Sequence, residues 1–215
     1  MTKKILILDF DGTLADTRHI IVTTMQQTIQ ALHLPQRTDD ECAAMIGLPL
    51  SETFRTLIPM DESMSLRCAA TYRRLFDENN VPGAVPVFPN VVDTLCRLHE
   101  RGIVITIASS RSHASLADFV QRMHLDSYIS YVLGADDVSL AKPHPEPVLK
   151  TLRELGFNAA EAVVVGDTTF DIDMGRRAGA TTVGVTYGNG TREQLEAHEA
   201  DIVIDDFAQL LPLFD

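Results

Sequence analysis

The amino-acid sequence predicts an α/β fold in which a doubly wound parallel sheet is interrupted, near its start, by an inserted all-helical domain. Residues 5–8 are four consecutive apolar residues, and such a run suits a strand that is buried on both faces. Strand and helix patterns alternate after Pro89, whereas residues 16–86 contain helical patterns alone. With 215 residues, 45% of them hydrophobic, the chain is long enough for a core that carries a smaller insertion.

Charge and composition exclude several classes of function. The formal net charge of −12 argues against non-specific binding to nucleic acid and against an anionic membrane surface. Cys42, Cys68 and Cys96 show no C-x-x-C pattern, so we expect scattered free thiols in the cytoplasm. No apolar run approaches the roughly 18 residues of a membrane span. The apolar run near the start is short and ends in Asp-Phe-Asp, which argues against a signal peptide.

Four helices are predicted in the inserted segment. In the first of them, apolar residues from Ile20 to Leu32 recur at helical spacing, and Pro35 ends the pattern. The predicted helices cover residues 17–33, 39–46, 51–58 and 61–79. A stretch rich in proline and glycine, residues 81–89, follows them. We therefore expect a core domain of residues 1–15 and 87–215 and a helical domain of residues 16–86.

The remaining elements alternate between strand and helix, as a parallel sheet with helices on both faces requires. Strands are predicted at residues 103–108, 129–133, 162–165, 183–185 and 202–204. Helices are predicted at residues 114–123, 147–155, 171–178 and 192–198. The first strand must belong to the same sheet, which makes the helical segment an insertion.

Two carboxylates, Asp9 and Asp11, follow the first strand directly. They emerge at its carboxyl end, where open α/β sheets place their ligand crevices, and alternation along the chain puts them on the same side. Carboxylates this close repel each other, and a bound divalent cation usually offsets that repulsion. Gly12 permits a tight departure of the backbone just past them.

Polar residues also follow three later predicted strands. Ser109 and Ser110 form either an anion site with free backbone N–H groups or an ordinary cap of the next helix. Lys142, in a loop with two prolines, either neutralises an anion or stays solvated. Asp167 leaves a strand end, and Asp171 lies one turn into the next helix, where a carboxylate is also an ordinary cap.

Taken together and in this order, the motifs resemble those of the haloacid dehalogenase (HAD) superfamily, whose core is Rossmann-like. The motifs are Asp-x-Asp-Gly-Thr, then Ser, then Lys, then Gly-Asp-x-x-x-Asp, each at a strand end. Residues 85–90, 141–147 and 187–195 further resemble the branch that contains phosphoglycolate phosphatase, with β-phosphoglucomutase as a close neighbour. The resemblance covers essentially the whole chain and implies that the inserted helices form a cap over the active site.

The resemblance implies a phosphatase that works through an aspartyl-phosphate. Asp9 would be the nucleophile, and Asp11 would protonate the leaving group and then activate water. A true dehalogenase does not need that second acid. Mg²⁺ would be held by Asp9, the backbone carbonyl of Asp11 and Asp167, with Asp171 in support. Lys142 would offset negative charge together with the metal.

The resemblance also implies which groups hold the phosphoryl oxygens. Ser109 would donate a hydrogen bond to one of them, helped by the backbone N–H groups of Gly12 and Ser110. Thr168 would assist near the metal. Many relatives have Thr-Asn where this chain has Ser109-Ser110, a departure that touches only a secondary contact.

The cap is expected to choose the substrate. Residues 47–51 resemble the loop of the cap that enters the site on closure, although they also suit a plain turn between helices. The candidate contacts to substrate in the cap are Gly47, Leu48 and Arg55.

The acceptor of the phosphoryl group is expected to be water. In β-phosphoglucomutases a histidine and an arginine of the cap serve transfer to a sugar, and Ile21 and Leu50 stand at those positions here, with His19 two residues away. We therefore expect hydrolysis of a small phosphorylated metabolite by a monomer or weak dimer. Mutase activity, pyrophosphate hydrolysis and a signalling role, with Asp9 as phospho-acceptor, remain alternatives.

Overall fold

The computed structural model describes residues 2–215, apart from the side chain of Ser51. Its centre is one parallel sheet of six strands in the order β3-β2-β1-β4-β5-β6. The strands are β1 (Ile5–Leu8), β2 (Val104–Ala108), β3 (Ile129–Leu133), β4 (Ala162–Gly166), β5 (Thr181–Val185) and β6 (Ile202–Ile204). The strand order turns back between β1 and β4, and ligand crevices of open α/β sheets lie at such a point. The predicted doubly wound fold is confirmed.

The helices divide into an inserted group and a group that covers the sheet. Between β1 and β2 lie α1 (Arg18–Ala31), α2 (Asp39–Ala43), α3 (Leu50–Leu57) and α4 (Glu62–Asn79). The sheet is covered by α5 (Val91–Glu100), α6 (His113–Arg122), α7 (Glu146–Leu155), α8 (Thr169–Ala178) and α9 (Arg192–Ala197). Short 3₁₀ helices are formed by Ala135–Asp137, Ala159–Glu161 and Phe207–Phe214. The predicted all-helical insertion is therefore present.

Helix α5 was not predicted from the sequence, and neither was the 3₁₀ helix at Phe207–Phe214. Val91, Leu95 and Leu98 of α5 are fully buried at helical spacing. The prolines just before Val91 masked this pattern, although a proline directly before a helix is compatible with its start. The two missed elements pack against each other, and their apolar residues belong to the same core cluster.

The sheet is buried on both faces, as the apolar run of β1 predicted. Leu6 and Leu8 belong to a cluster that includes residues of α5, α6 and the C-terminal 3₁₀ helix. Ile5 and Ile7 point the other way, into a cluster formed with α7 and α8. All four are completely buried, because each face of a central parallel strand packs against helices.

The register of β1 with its two neighbours fixes where the residues after β1 lie relative to the ends of β2 and β4. Leu8 pairs with Ile107 of β2 on one side and with Val165 of β4 on the other. The next residue, Asp9, donates its backbone N–H to the carbonyl of Val165 at 2.9 Å. The segments that leave β1, β2 and β4 therefore meet at one edge of the sheet.

The inserted helices have a core of their own. It contains Met25 and Ile29 of α1, Phe54 of α3 and Cys68 of α4, together with Cys42. All three cysteines of the chain are free thiols, and two of them are buried in this cluster. Within residues 2–215, none of the helices has both the length and the apolar character needed to span a membrane.

Candidate active site

Lys142 lies at the centre of the crevice and joins two of the predicted acidic residues. Its Nζ donates to Asp9 Oδ1 at 2.5 Å and to Asp171 Oδ1 at 2.6 Å. The lysine side chain is only 2% exposed. The interpretation of Lys142 as a solvated loop residue is therefore excluded, and the structure supports a neutralising role.

Asp171 serves the local fold and the crevice at once. Its Oδ2 accepts hydrogen bonds from the backbone N–H of Thr168 at 3.1 Å and from Thr168 Oγ1 at 2.7 Å. These bonds form part of the N-terminal cap of α8, while Oδ1 remains bound to Lys142. The interpretation of Asp171 as a helix cap is confirmed, and its role in support of a metal stays a prediction. The hydroxyl of Thr168 is occupied by this cap.

Asp167 is held from two sides by Thr13 and Asn189, which lie in motifs that carry the resemblance but were given no role of their own. Its Oδ2 accepts from the backbone N–H of Asn189 at 2.7 Å and from Asn189 Nδ2 at 2.9 Å. Its Oδ1 accepts from Thr13 Oγ1 at 3.3 Å. A Cβ at Gly12 or at Gly188 would collide with the Asp167 side chain, so both positions require glycine. The Gly-Asn-Gly segment follows β5, and its place at a strand end could have indicated it.

Three buried carboxylates and one ammonium make the crevice strongly acidic. Oxygen atoms of Asp9, Asp167 and Asp171 lie within 4.8 Å of one another. Burial raises the pKa of Asp167 to about 7, and the Asp171 carboxylate adds to this. Burial also raises the pKa of Asp9 well above its usual range, although Lys142 acts in the opposite direction.

The donor set fits a divalent cation of the magnesium type. Three carboxylates and one lysine leave two negative charges without a counter-charge. Hard oxygen ligands are the ones that Mg²⁺ prefers. The carboxylates that would hold or support it are those of Asp9, Asp167 and Asp171, whereas the carboxylate of Asp11 is bound elsewhere.

Ser109 and Ser110 follow β2 and lie on the other side of β1. Ser109 is buried, and it does not cap α6, because Ser112 accepts the capping bond from Ser115 N. Its Oγ accepts a hydrogen bond from the backbone N–H of Arg111 at 3.3 Å. Ser110 Oγ donates to the carbonyl of Gly47, in the inserted segment, at 2.6 Å. The alternative of a simple helix cap at Ser109 is therefore excluded.

Asp11 is paired with Arg111, a residue that the sequence analysis passed over. Arg111 Nε lies 2.9 Å and 2.8 Å from the two carboxylate oxygens of Asp11, and Nη2 lies 2.7 Å from Oδ1. The two side chains are 11% and 12% exposed. Asp9 and Asp11 therefore have different partners, and the second carboxylate is separate from the acidic cluster.

The loop between α2 and α3 lies beside the crevice at Gly47, whereas Leu50 and Ser51 of the predicted segment begin α3. Gly47 has a φ of +102°, and a Cβ there would lie 3.3 Å from Thr168 Oγ1. Leu48 lines a cavity together with Asp11. Arg55 is exposed on α3 and does not line this cavity. The side chain of Ser51 lies outside the described part of the chain.

The cavity between the inserted helices and the core has a volume of about 820 Å³. Ile21 and Leu50, which stand where mutases carry a histidine and an arginine, both line it. His19 faces a separate cavity of about 450 Å³ on the inserted helices. The cavity wall is therefore apolar at the two positions where mutases carry a histidine and an arginine.

The chain thus has an α/β fold with a buried acidic crevice, an arrangement that suits an enzyme active site. The model of the haloacid dehalogenase-like hydrolase family matches residues 6–185, and the chain belongs to this family.

Known relatives cover nearly the whole chain. A protein named "Probable phosphatase IndB" from Dickeya dadantii is 36% identical over 97% of this chain and 92% of its own length. A pyrophosphatase from Anoxybacillus flavithermus is 33% identical, over 97% and 95%. A crystal structure of a haloacid dehalogenase-like hydrolase from Bacteroides fragilis superposes with a TM-score of 0.91 at 28% identity, covering 97% of this chain and 99% of that one.

Proposed function

We propose that this protein is a Mg²⁺-dependent phosphatase that hydrolyses a small phosphomonoester through an aspartyl-phosphate on Asp9. The observation that carries the proposal is the arrangement of Asp9 between Lys142 and the carboxylates of Asp167 and Asp171, at the switch point of the sheet. Membership of a hydrolase family and the names of the relatives support it. The pyrophosphatase among the relatives makes pyrophosphate a second candidate substrate.

In the first step, a carboxylate oxygen of Asp9 attacks phosphorus, and the bond from phosphorus to the leaving-group oxygen breaks. Lys142 favours the ionised form of Asp9, which is the form that attacks. Asp11 gives a proton to the departing oxygen. Ser109 and the backbone N–H group of Ser110 donate to the phosphoryl oxygens. The backbone N–H of Gly12, which was also predicted to do so, donates instead to the carbonyl of Ala15 at 2.9 Å.

In the second step, Asp11 takes a proton from water, and the water oxygen attacks phosphorus. The bond from phosphorus to Asp9 breaks, which releases inorganic phosphate and restores the carboxylate of Asp9. The proton on Asp11 passes to solvent, which restores the second carboxylate. When bound, Mg²⁺ would offset the negative charge of the phosphoryl group. Asp9, the carbonyl of Asp11, and Asp167 would hold it, with Asp171 in support.

We further propose that residues 16–86 act as a cap domain on a core of residues 1–15 and 87–215. The bond from Ser110 to Gly47 supports this, as does the space at Gly47, where an added Cβ would lie 3.3 Å from Thr168 Oγ1, because both place the inserted loop beside the crevice. A cap in this position excludes bulk water and selects the leaving group. The free thiols support a cytoplasmic location.

We expect the purified protein, stripped of metal and reloaded with Mg²⁺, to release phosphate from at least one small ester. The substrates to compare are p-nitrophenyl phosphate, sugar phosphates, phosphoglycolate and pyrophosphate, with released inorganic phosphate as the measurement. Addition of a chelator should stop the release, since the acidic cluster would then lack its cation. A metal-loaded protein that hydrolyses none of these compounds would rule the proposal out.

The stabilising effect of Mg²⁺ should weaken as the pH falls below about 7. The pKa of Asp167 rises from its usual 3.8 to about 7, so between these values the folded, metal-free protein holds a proton that the unfolded chain has lost. This carboxyl therefore lowers stability as the pH rises through that window. A bound cation has to displace the proton, so its apparent affinity falls up to about tenfold per pH unit below 7.

The measurement is the shift of the melting temperature on addition of MgCl₂ at pH 8 and at pH 6. We expect the shift to be smaller at pH 6 by a few degrees, roughly 2–4 °C for each 1 kcal/mol of lost binding energy. NaCl at the same ionic strength is the control for screening. A Mg²⁺-induced shift that grows as the pH falls would contradict the assignment of the site.

A further inference from the structure

The guanidinium of Arg111 is held by more than its ion pair with Asp11. It lies over the rings of Phe76 and Phe119, with distances of 4.9 Å and 4.7 Å from Cζ to the ring centroids, and 5.6 Å from that of Phe10. Its Nη1 donates to Ser115 Oγ at 3.3 Å. Phe76 belongs to the inserted helix α4, so the guanidinium is fixed at the boundary of insertion and core. These contacts do not depend on Asp11.

The ion pair conflicts with the role of Asp11 in the proposed function, on which this inference rests. One guanidinium contacts both oxygens of Asp11, and when Asp11 carries the proton for the leaving group it is neutral and no longer balances that cation. Arginine does not supply that proton, because it stays charged. Asp11 therefore gives up its ion pair with Arg111 when it acts as the acid. Its departure would leave a buried cation without a counter-charge, which is unfavourable.

We propose that Arg111 determines substrate specificity by exchanging the carboxylate of Asp11 for an anionic group on the leaving group of the substrate. The substrate anion neutralises the guanidinium, which stays between its aromatic neighbours. Asp11 is thereby released, takes up a proton from solvent and gives it to the leaving-group oxygen as the bond to phosphorus breaks. No proton leaves Arg111 at any stage. When the substrate has no such anion, the ion pair between Asp11 and Arg111 must separate and nothing replaces Asp11 as the partner of Arg111.

The cavity indicates how large that leaving group is. Glu52, Asp77, Asp118 and Asp136 also line the cavity, and all four are exposed. Among the described residues, Arg73 is the one exposed cation of the lining, so carboxylates outnumber cations there, whereas Arg111 lies deeper, beside Asp11. A long anionic substituent would meet these carboxylates, so the wall disfavours it. Because Arg111 lies within hydrogen-bond distance of Asp11, the substrate anion lies only a few atoms from the bridging oxygen. The substrate class is thus a compact phosphate ester or anhydride with a carboxylate or a second phosphate.

The test compares charged substrates with a neutral one of similar size. Phosphoglycolate supplies the carboxylate, pyrophosphate supplies the second phosphate, and 2-hydroxyethyl phosphate is the neutral counterpart. The measured quantity is the ratio of kcat/KM for each charged substrate to that for the neutral one. We expect the wild-type ratio to exceed about 10 for at least one charged substrate, and Arg111→Met to lower that ratio about 30-fold or more.

Arg122→Met is the matched control, because Arg122 also lies 4.7 Å from the Phe119 ring but does not line the cavity. It should keep the wild-type ratio. If Arg111→Met does not fold, Arg111→Gln replaces it, since its amide still donates to Asp11 without the charge. Unchanged ratios in the Arg111 variant, or a wild-type ratio near 1 for both charged substrates, would overturn the exchange. Failure of all esters to react would instead reject the phosphatase function itself.

Discussion

Replacement of Asp9 by asparagine is expected to abolish turnover, with a loss of about 10⁴-fold or more in kcat. Asparagine is nearly isosteric with aspartate but cannot attack phosphorus. The amide oxygen still accepts the hydrogen bond from Lys142 that Asp9 Oδ1 accepts now, at 2.5 Å. The fold therefore stays intact while the nucleophile is lost. The measurement is steady-state release of phosphate from the best substrate.

The stability of Asp9→Asn separates loss of chemistry from loss of structure. Burial raises the pKa of Asp9, which means that the folded protein disfavours its charge. Removal of this charge should leave the melting temperature of the metal-free protein unchanged or higher. The additional stability that Mg²⁺ provides should shrink.

Asp126→Asn is the matched control for this substitution. Asp126 is exposed and precedes β3 at the opposite edge of the sheet, so its loss should affect neither property. Activity of Asp9→Asn within tenfold of wild type would show that another group attacks phosphorus.

Replacement of Lys142 by methionine is expected to remove activity and a large part of the stability. The ammonium is the shared partner of Asp9 and Asp171, and its side chain is 2% exposed. Burial lowers the pKa of Lys142, but the carboxylates of Asp171 and Asp9 outweigh this and raise it. Loss of one partner of a buried ion pair leaves uncompensated charge, which costs about 3 kcal/mol or more of unfolding free energy. This corresponds to a melting temperature lower by roughly 6–12 °C.

The pH dependence of this loss identifies its cause. Without Lys142, the carboxyls of Asp9 and Asp167 keep raised pKa values, so the folded variant binds more protons than the unfolded chain. The stability of Lys142→Met should thus fall as the pH rises from 5 to 8. In the wild type, Lys142 lowers the pKa of both carboxyls, so its removal raises these values further and the difference in stability between the two proteins widens with pH. Mg²⁺ should recover part of it.

Lys4→Met is the control, because Lys4 forms an exposed ion pair with Glu161. Such pairs contribute little, so only a small change in melting temperature is expected. A Lys142→Met protein as stable as wild type at pH 8 would contradict this account. So would a loss of stability that does not vary with pH.

Local pattern was sufficient to predict most of the fold. The apolar run of β1, the alternation of strand and helix after Pro89 and the helical spacing of α1 are properties of short segments, and the structure has elements in those places. Helix α5 was missed because prolines precede it, although Val91, Leu95 and Leu98 lie at the right spacing. Its burial depends on the C-terminal 3₁₀ helix, more than 100 residues away.

The place where the predicted site residues gather could be read from the order of strands and motifs along the chain. Asp9, Ser109 and Asp167 each follow an apolar strand, and the carboxyl ends of parallel strands share one edge of the sheet. The hydrogen-bond partners of the acidic residues could be seen only in the tertiary structure. The bonds from Arg111 to Asp11 and from Asn189 to Asp167 join residues 100 and 22 positions apart. Such contacts depend on strand order, loop path and the position of the inserted helices, and none of these is encoded in the spacing of a motif.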